Sequence, residues 1–120
     1  MTPEKILSKQ IQAVCGENNI ICFDVNVGGG QLITGSYFRT GQLITGKGSY
    51  FRTGLPRGFS DLLLFTSNGK TAFIETKIKP RKPTQEQINF INTMKKRGFI
   101  AGVVYDINDF INNYLPLLKP

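Results

Sequence analysis

Two periods of hydrophobic residues follow one another along the chain and predict an α/β fold. Near the N-terminus apolar residues recur every three to four positions, which is the spacing of one helix face. This stripe consists of Leu7, Ile11 and Val14. Thr2 precedes the stripe as an N-cap, and Pro3 suits the first turn of a helix. The pattern predicts a first helix that begins at Thr2 and ends near Asn18 or Asn19.

Later segments alternate between strand and helix patterns. Leu62–Phe65 is apolar throughout, which is typical of a strand that is covered on both faces. Thr84 precedes an amphipathic segment as a helix cap, and Gly98 ends that segment. The predicted strands are Ile20–Val27, Ser60–Phe65, Thr71–Lys79 and Phe99–Tyr105, and the further helices are Thr84–Arg97 and Asp106–Tyr114. The predicted order is αβββαβα, a mixed sheet flanked by helices.

An internal repeat separates the first two of these strands. Gly30–Thr40 reads GQLITGSYFRT and Gly41–Thr53 reads GQLITGKGSYFRT, so the copies differ only by Lys47-Gly48. A solenoid needs several diverged units, and two nearly identical copies do not indicate one. A recent duplication, an engineered insertion and an error in the sequence all remain open as its origin.

Composition and charge bound the class of protein. The chain has 120 residues, 40% of them hydrophobic, which suits a single domain over residues 1–120. No apolar run approaches the roughly 20 residues that span a bilayer, and the N-terminus lacks the pattern of a secretion signal. We therefore expect a cytoplasmic protein without a membrane partner. A net charge of +7 and a pI near 9.7 indicate a polyanionic partner, most commonly nucleic acid.

The absence of histidine limits the chemistry. The chain has no histidine and two cysteines, Cys15 and Cys22, which we expect to be reduced core thiols. Serine and cysteine triads and histidine general bases are excluded, and a zinc site is nearly so. Catalysis would therefore rest on carboxylates, lysine and a hard cation bound by oxygen ligands.

Glu75 and Lys77 form the centre of the candidate chemistry. Side chains two apart on a strand point to one face, so these two lie together and Thr76 points the other way. Asp61 begins the preceding strand, and the intervening hairpin can return Glu75 to its side. Two carboxylates placed in this way can bind Mg²⁺ or Mn²⁺, while Lys77 orients a water or offsets phosphorane charge. The alternative is a solvated ion pair of Glu75 and Lys77 on an exposed strand face.

These residues resemble the motif of a known nuclease family. GFSD at 58–61, followed by ETK at 75–77, is similar to the PD-(D/E)XK motif, specifically to that of the virus-type, stand-alone VRR-NUC nucleases. The departure is Ser60, where the family usually has proline. The resemblance implies a restriction-endonuclease-like core. The metal ligands that it implies are Asp61, Glu75 and the carbonyl oxygen of Thr76, with Lys77 catalytic.

Two further polar residues match the same family. By the resemblance, Glu4 would contact the metal, directly or through water, and Gln87 would support the site or the substrate. From the residues alone, Glu4 is equally well explained as a first-turn acid favoured by the helix dipole. Gln87 follows Thr84 by three residues, which fits a capping box, and capping alone is the favoured interpretation.

The resemblance also implies an activity and its partners. We expect a DNA endonuclease that depends on Mg²⁺ or Mn²⁺ and prefers branched DNA such as four-way junctions. Symmetric cutting of two strands needs two sites and so implies a homodimer. A viral or bacterial intracellular setting is expected. From the residues themselves, phosphate contacts are expected at the end of the third predicted strand, from Lys77, Lys79, Arg81 and Lys82. The alternative is a non-catalytic DNA-binding module, or a subunit of a recombination or repair complex that retains the nuclease fold.

The length of the hairpin loop between Asp61 and Glu75 can also be predicted. Asn68-Gly69 favours a two-residue turn, but that turn would place Asp61 opposite Thr76 and direct the two carboxylates to opposite faces. A three-residue loop at 67–69 places Asp61 opposite Glu75, on one face of the sheet. We therefore predict an odd-length loop or a compensating bulge.

Overall fold

The structure is a computed structural model that describes residues 1–25, 36–39, 42–45, 55 and 57–120. In chain order the described elements are α1 (Pro3–Glu17), β1 (Ile21–Asp24), β2 (Ser36–Arg39), β3 (Gln42–Thr45), β4 (Leu62–Phe65), β5 (Thr71–Thr76), α2 (Gln85–Lys96), β6 (Ile100–Val104), α3 (Ile107–Asn113) and α4 (Leu115–Leu118). Each helix and strand predicted from the sequence is present, with somewhat tighter bounds.

Four of the strands form one mixed sheet, in the spatial order β1-β4-β5-β6. β4 pairs antiparallel with both β1 and β5, whereas β6 pairs parallel with β5. A parallel pair needs a crossover connection, which α2 supplies. β2 and β3 form a separate two-stranded antiparallel sheet. The main sheet confirms the predicted mixed sheet with flanking helices.

α1 begins where the sequence predicts. The Thr2 hydroxyl accepts a hydrogen bond from the backbone N–H of Lys5 at 3.2 Å, and Pro3 occupies the first turn. The buried face of the helix joins β4, β5, α3 and α4 in the larger core cluster. At 15 residues α1 is the longest helix in the described part of the chain, where no helix is long and apolar enough to cross a membrane.

β5 is buried on both faces. Ala72 and Ile74 enter the core cluster shared with α1, whereas Phe73 enters a second cluster under α2. The ring of Phe90 lies 5.4 Å from that of Phe73 and 4.7 Å from that of Phe59, between ring centroids. Because helices cover both sides, a polar residue near the end of this strand is also withdrawn from water.

The loop between β4 and β5 has three residues, which confirms the prediction of an odd-length loop. In this ladder Leu62 lies opposite Ile74, and the same register places Asp61 opposite Glu75. Gly69, the last loop residue, has a φ of 85°, a left-handed conformation that favours glycine. The two-residue turn favoured by the Asn-Gly pair does not form, and the two carboxylates start from the same side of the hairpin.

The two cysteines lie side by side between α1 and β1. Both are free thiols, Cys15 buried and Cys22 half-buried. The hydrogen bond between the two thiols and burial raise the pKa of Cys22 well above its ordinary value. A thiol that stays protonated is a poor nucleophile, so Cys22 acts as a small core residue.

Three short elements were not predicted. β2 ends the first copy of the repeat and β3 begins the second, with Arg39 opposite Gln42. The rest of both copies, and the predicted end of the first strand at Val27, lie outside the described residues. α4 follows Tyr114, and Pro116 lies in its first turn. A proline shortly after a helix usually indicates that helical structure ends there, although the first turn of a new helix accepts proline equally well.

Candidate active site

The ETK segment lies inside the protein. The exposed fractions of Glu75, Thr76 and Lys77 are 2%, 3% and 6%. The alternative of a solvated ion pair on an exposed strand face is therefore wrong. Glu75 follows Phe73 on the face covered by α2, while Thr76 faces the α1 side. Burying a carboxylate and an ammonium is unfavourable unless each finds a partner, so these residues require a local explanation.

Asp61 is held beside this strand end by Thr76. Its Oδ2 accepts hydrogen bonds from the backbone N–H and from the hydroxyl of Thr76, both at 2.9 Å. Ser60, which precedes it, is buried and donates its hydroxyl to the carbonyl oxygen of Leu62 at 3.0 Å. A hydrogen bond thus shapes the backbone at the position where the motif that this sequence resembles usually has proline.

The loop before Asp61 packs tightly against the first turn of α2. Gly58 has a φ of 83°, and a Cβ at this position would collide with the backbone of Glu86. Glycine alone permits both the left-handed conformation and the close approach. The loop that carries Asp61 and the helix that carries Gln87 are consequently held at a fixed spacing.

Gln87 connects the site to the cap of α2. Its Nε2 donates to Glu75 Oε2 at 2.7 Å, and its Oε1 accepts from the backbone N–H of Thr84 at 2.8 Å. The backbone N–H of Gln87 donates to the Thr84 hydroxyl at 3.2 Å, which completes a capping box. The predicted capping box is confirmed. The interpretation that Gln87 serves for capping alone is wrong, because the same amide also holds Glu75.

The two carboxyl oxygens of Glu75 differ in their hydrogen bonding. Its Oε1 is buried and has no hydrogen-bond partner in the described part of the chain. Burial, and next the charge and proximity of Asp61, raise the pKa of Glu75 to about 8, although Lys77 opposes the shift. Near neutral pH and without a cation, this carboxyl is therefore mostly protonated. A divalent cation between the two carboxylates would replace that proton and satisfy Oε1.

A cleft of about 140 Å³ opens on the α1 side of Asp61. Glu4 lines the cleft, but its Oε2 accepts a hydrogen bond from the guanidinium of Arg81 at 3.1 Å. Asp24, at the end of β1, lines it too and was not predicted as a site residue. Strand alternation from Cys22, which faces the α1 core, predicts that Asp24 faces the same side, but it does not place this strand beside Asp61.

The carboxylates suit a hard cation that keeps part of its water shell. Among the described residues no three side chains from His, Cys, Asp and Glu are grouped so that they could hold a metal ion. Of the predicted ligands, Asp61 and Glu75 are the two carboxylates at this strand end, and the carbonyl of Thr76 would add a third oxygen. Mg²⁺ is commonly bound by one or two carboxylates with several waters retained. The structure brings Glu4 near this pair, but its role as a ligand stays a prediction.

Comparison with known proteins gives the family. A family model described as the VRR-NUC domain matches residues 42–106, more than half of the chain. The chain belongs to the VRR-NUC family. This is a nuclease family, and a nuclease-type function follows. A solved structure titled "VRR_NUC domain" has a TM-score of 0.61 and 20% identity, over 95% of this chain and 99% of that chain, which shows a shared fold. Comparison with the curated proteins gives no match.

The VRR-NUC match covers the core of the candidate site and divides the repeat. The site residues inside the matched segment are Asp61, Glu75, Thr76, Lys77 and Gln87. Glu4 lies on α1, before the segment begins. The match starts at Gln42, in the second copy of the repeat. The second copy is therefore the one that aligns with the VRR-NUC model, and the first copy, Gly30–Thr40, precedes the matched segment.

Proposed function

We propose that this VRR-NUC protein is a DNA endonuclease dependent on Mg²⁺ or Mn²⁺, with Asp61 and Glu75 as metal ligands and Lys77 catalytic. The observation that carries the proposal is Glu75, whose buried Oε1 has no partner among the described residues. A buried carboxyl beside a second carboxyl is unfavourable for folding. A divalent cation is the partner that would offset this destabilisation.

Two neighbouring residues hold the proposed ligands in place. Neither of them contributes its own side chain to the cation in this proposal. Thr76 fixes Asp61 with two hydrogen bonds, and Gln87 fixes Glu75 with one, which leaves Oε1 for the cation. Bound there, a divalent cation supplies a Lewis acid that polarises the phosphodiester and acidifies a water. Ligands already held in place need little rearrangement during the reaction.

Lys77 is suited to act on the reacting groups. It follows β5 on the same face as Glu75, and its side chain is withdrawn from solvent. Its ammonium can orient the attacking water and offset the negative charge that develops on the phosphorane. Low local polarity strengthens such an interaction. Attack by water hydrolyses the phosphodiester without a covalent enzyme intermediate.

DNA is the proposed substrate. The exposed basic residues that follow β5 are Lys79, Arg81 and Lys82. They lie directly beyond Lys77, where they can contact phosphates on either side of the cut. We extend the proposal to branched DNA, such as four-way junctions, cut by a homodimer in which each strand meets its own site. Glu4 would add a contact to the cation, directly or through water, once Arg81 releases it.

A non-catalytic DNA-binding module, or a subunit of a recombination or repair complex, is the second candidate function. The basic residues would serve such a module equally well. The pair Asp61 and Glu75 would not, because carboxylates next to a phosphate-binding surface repel DNA unless a cation lies between them. The buried Glu75 beside Asp61 therefore favours catalysis.

One set of assays separates these functions. Wild type and Glu75→Gln are incubated with Mn²⁺, Mg²⁺ or EDTA on duplex, flap and four-way-junction DNA of matched sequence. We expect wild type to cut the junction with either metal, and neither protein to cut in EDTA. Binding without cleavage under all conditions would support the non-catalytic module. Cleavage in EDTA would contradict metal dependence, and equal cleavage of all three substrates would remove the preference for branched DNA.

A further inference from the structure

A second groove adjoins the carboxylate cleft. It has a volume of about 380 Å³ and lies between the first turn of α1 and the segment that leaves β5. Thr2 and Glu4 line both cavities, so the groove shares a wall with the proposed active site. The hydrolysis described above uses Lys79 and Arg81 as phosphate contacts, but it gives no role to the cavity itself or to its apolar lining.

The groove combines apolar and cationic surface. Pro3, Ile78 and Pro80 supply the apolar part, and Lys79 and Arg81 supply the positive charge. This combination matches a ligand that has a flat apolar body and a phosphate, which is what a nucleotide offers. We propose that the groove binds the nucleotide adjoining the scissile phosphate, with its base and sugar against the apolar residues and its phosphate on Lys79 and Arg81. This inference rests on the nuclease function proposed above.

Lys79 and Arg81 are each held at the groove by one contact. Phosphate binding would preserve the contact of Lys79 and replace that of Arg81. The Lys79 ammonium lies 5.5 Å from the centroid of the Tyr105 ring, which restrains the exposed side chain. Arg81 pairs with Glu4 at 3.1 Å, but its side chain is 66% exposed, and exposed pairs contribute little stability. Arg81 can therefore leave Glu4 and contact a phosphate with little loss of stability. Its charge also offsets that of Glu4, which would otherwise repel the phosphate.

The first test fills the groove. Pro3 is exposed in the first turn of α1, so Pro3→Trp places a large side chain in the groove without disturbing the core. Gln10→Trp is the matched control, because Gln10 is exposed on the same helix and lines neither cavity. On junction DNA we expect Pro3→Trp to lower kcat/KM about tenfold, mainly through KM, the size of effect typical of losing one base contact. Gln10→Trp should cut like wild type. Thermal unfolding verifies that both variants fold.

The second test asks whether the groove holds one particular nucleotide. After the cut position has been mapped, single abasic sites are introduced at successive positions on either side of it. At one adjoining position the missing base should leave room for the tryptophan. There Pro3→Trp and wild type should cut the abasic substrate at nearly the same rate. A penalty that is unchanged at every abasic position, or the absence of a penalty in Pro3→Trp, would overturn the proposal.

A binding measurement separates this proposal from the proposed nuclease activity. In the Glu75→Gln background, DNA affinity is measured by fluorescence anisotropy for Pro3→Trp, Gln10→Trp, Lys79→Gln and Lys9→Gln. We expect Pro3→Trp and Lys79→Gln to weaken binding, and Lys79→Gln to reduce the salt dependence by about one phosphate contact. The other two are exposed controls on α1 that should not change it. If wild type never cuts but this pattern appears, the nuclease proposal fails and the groove stands. If wild type cuts and the four variants bind alike, the groove proposal is overturned.

Discussion

The side-chain amide of Gln87 joins the carboxylate of Glu75 to the start of α2. Its Nε2 lies 2.7 Å from Glu75 Oε2, and its Oε1 lies 2.8 Å from the backbone nitrogen of Thr84. Both ends of the amide are engaged, so the side chain cannot turn without losing one of these bonds. The orientation of a buried acid is thereby fixed by the cap of a helix.

Replacing Gln87 by alanine should slow cleavage by roughly tenfold or more, the range seen when a residue that orients a metal ligand is removed. Thr84→Ala is the matched control, because it removes the capping hydroxyl and leaves the bond from Gln87 to Glu75. Each change should lower the free energy of unfolding by about 1 kcal/mol or more. Urea unfolding and single-turnover cleavage measure the two effects. An equal loss of rate in both variants would show that Gln87 acts through helix stability alone.

Glu75 should make the metal-free protein less stable as pH rises. The pKa of this carboxyl is about 8 in the folded protein, against an ordinary value of 4.5. Between these values the folded state keeps a proton that the unfolded chain has released, so the free energy of unfolding falls by up to about 1.4 kcal/mol per pH unit. The stabilising contribution of Glu75 to the free energy of unfolding is fully present below the ordinary pKa of 4.5, and it is lost as pH rises above the folded-state pKa of about 8.

The neutral variant Glu75→Gln isolates this contribution. It keeps the shape of the protonated acid and should not show the decline. Urea unfolding in EDTA, from about pH 5 to about pH 9, gives the difference between the two proteins, which should shift in favour of the glutamine variant as pH rises. A difference that stays constant over this range would rule out a raised pKa at Glu75.

The hydroxyl of Thr76 should matter because it supplies one of the two bonds to Asp61 Oδ2. Thr76→Val removes the hydroxyl while the backbone N–H still donates, so cleavage should slow by about tenfold as the ligand loses orientation. Thr76→Ser keeps the hydroxyl and should retain most of the rate. Single-turnover cleavage in saturating Mn²⁺ compares them. Similar rates for valine and serine would mean that the backbone bond alone positions Asp61.

The sequence predicted the parts of the site that depend on local rules. Alternation along a strand placed Glu75 and Lys77 on one face, and the chemistry of a shared cation required the odd-length loop that places Asp61 opposite Glu75. The Asn-Gly pair at 68–69 alone favours a different turn. The requirement that two carboxylates converge was therefore a better guide than local turn preference.

Long-range partners could not be predicted in the same way. The ion pair between Glu4 and Arg81 joins residues 77 positions apart, and no local pattern marks it. From the residues alone capping was favoured for Gln87, because a capping box explains the spacing by itself, and only the family resemblance implied a role in the site. Asp24 was overlooked because its strand ends within a segment without a motif, and only the sheet order places that strand beside β4.

The first copy of the repeat should be dispensable. The VRR-NUC match begins in the second copy, so deleting residues 30–40 leaves the matched segment complete. The deletion variant should keep its far-ultraviolet circular dichroism and its cleavage activity, with a Tm within about 5 °C of wild type. Loss of cooperative unfolding on deletion would show that the extra copy is part of the folded unit.

The central claim is that Asp61, Glu75 and Lys77 form one metal-dependent nuclease site. It is tested most directly by single-turnover cleavage of a four-way junction in Mn²⁺, with wild type, Asp61→Ala, Glu75→Gln, Lys77→Ala and the exposed control Lys9→Gln. The three site variants should lose at least about a hundredfold in rate and still bind the junction, because binding rests on basic residues elsewhere. Lys9→Gln should cut like wild type. Wild-type rates in the three site variants would contradict the account.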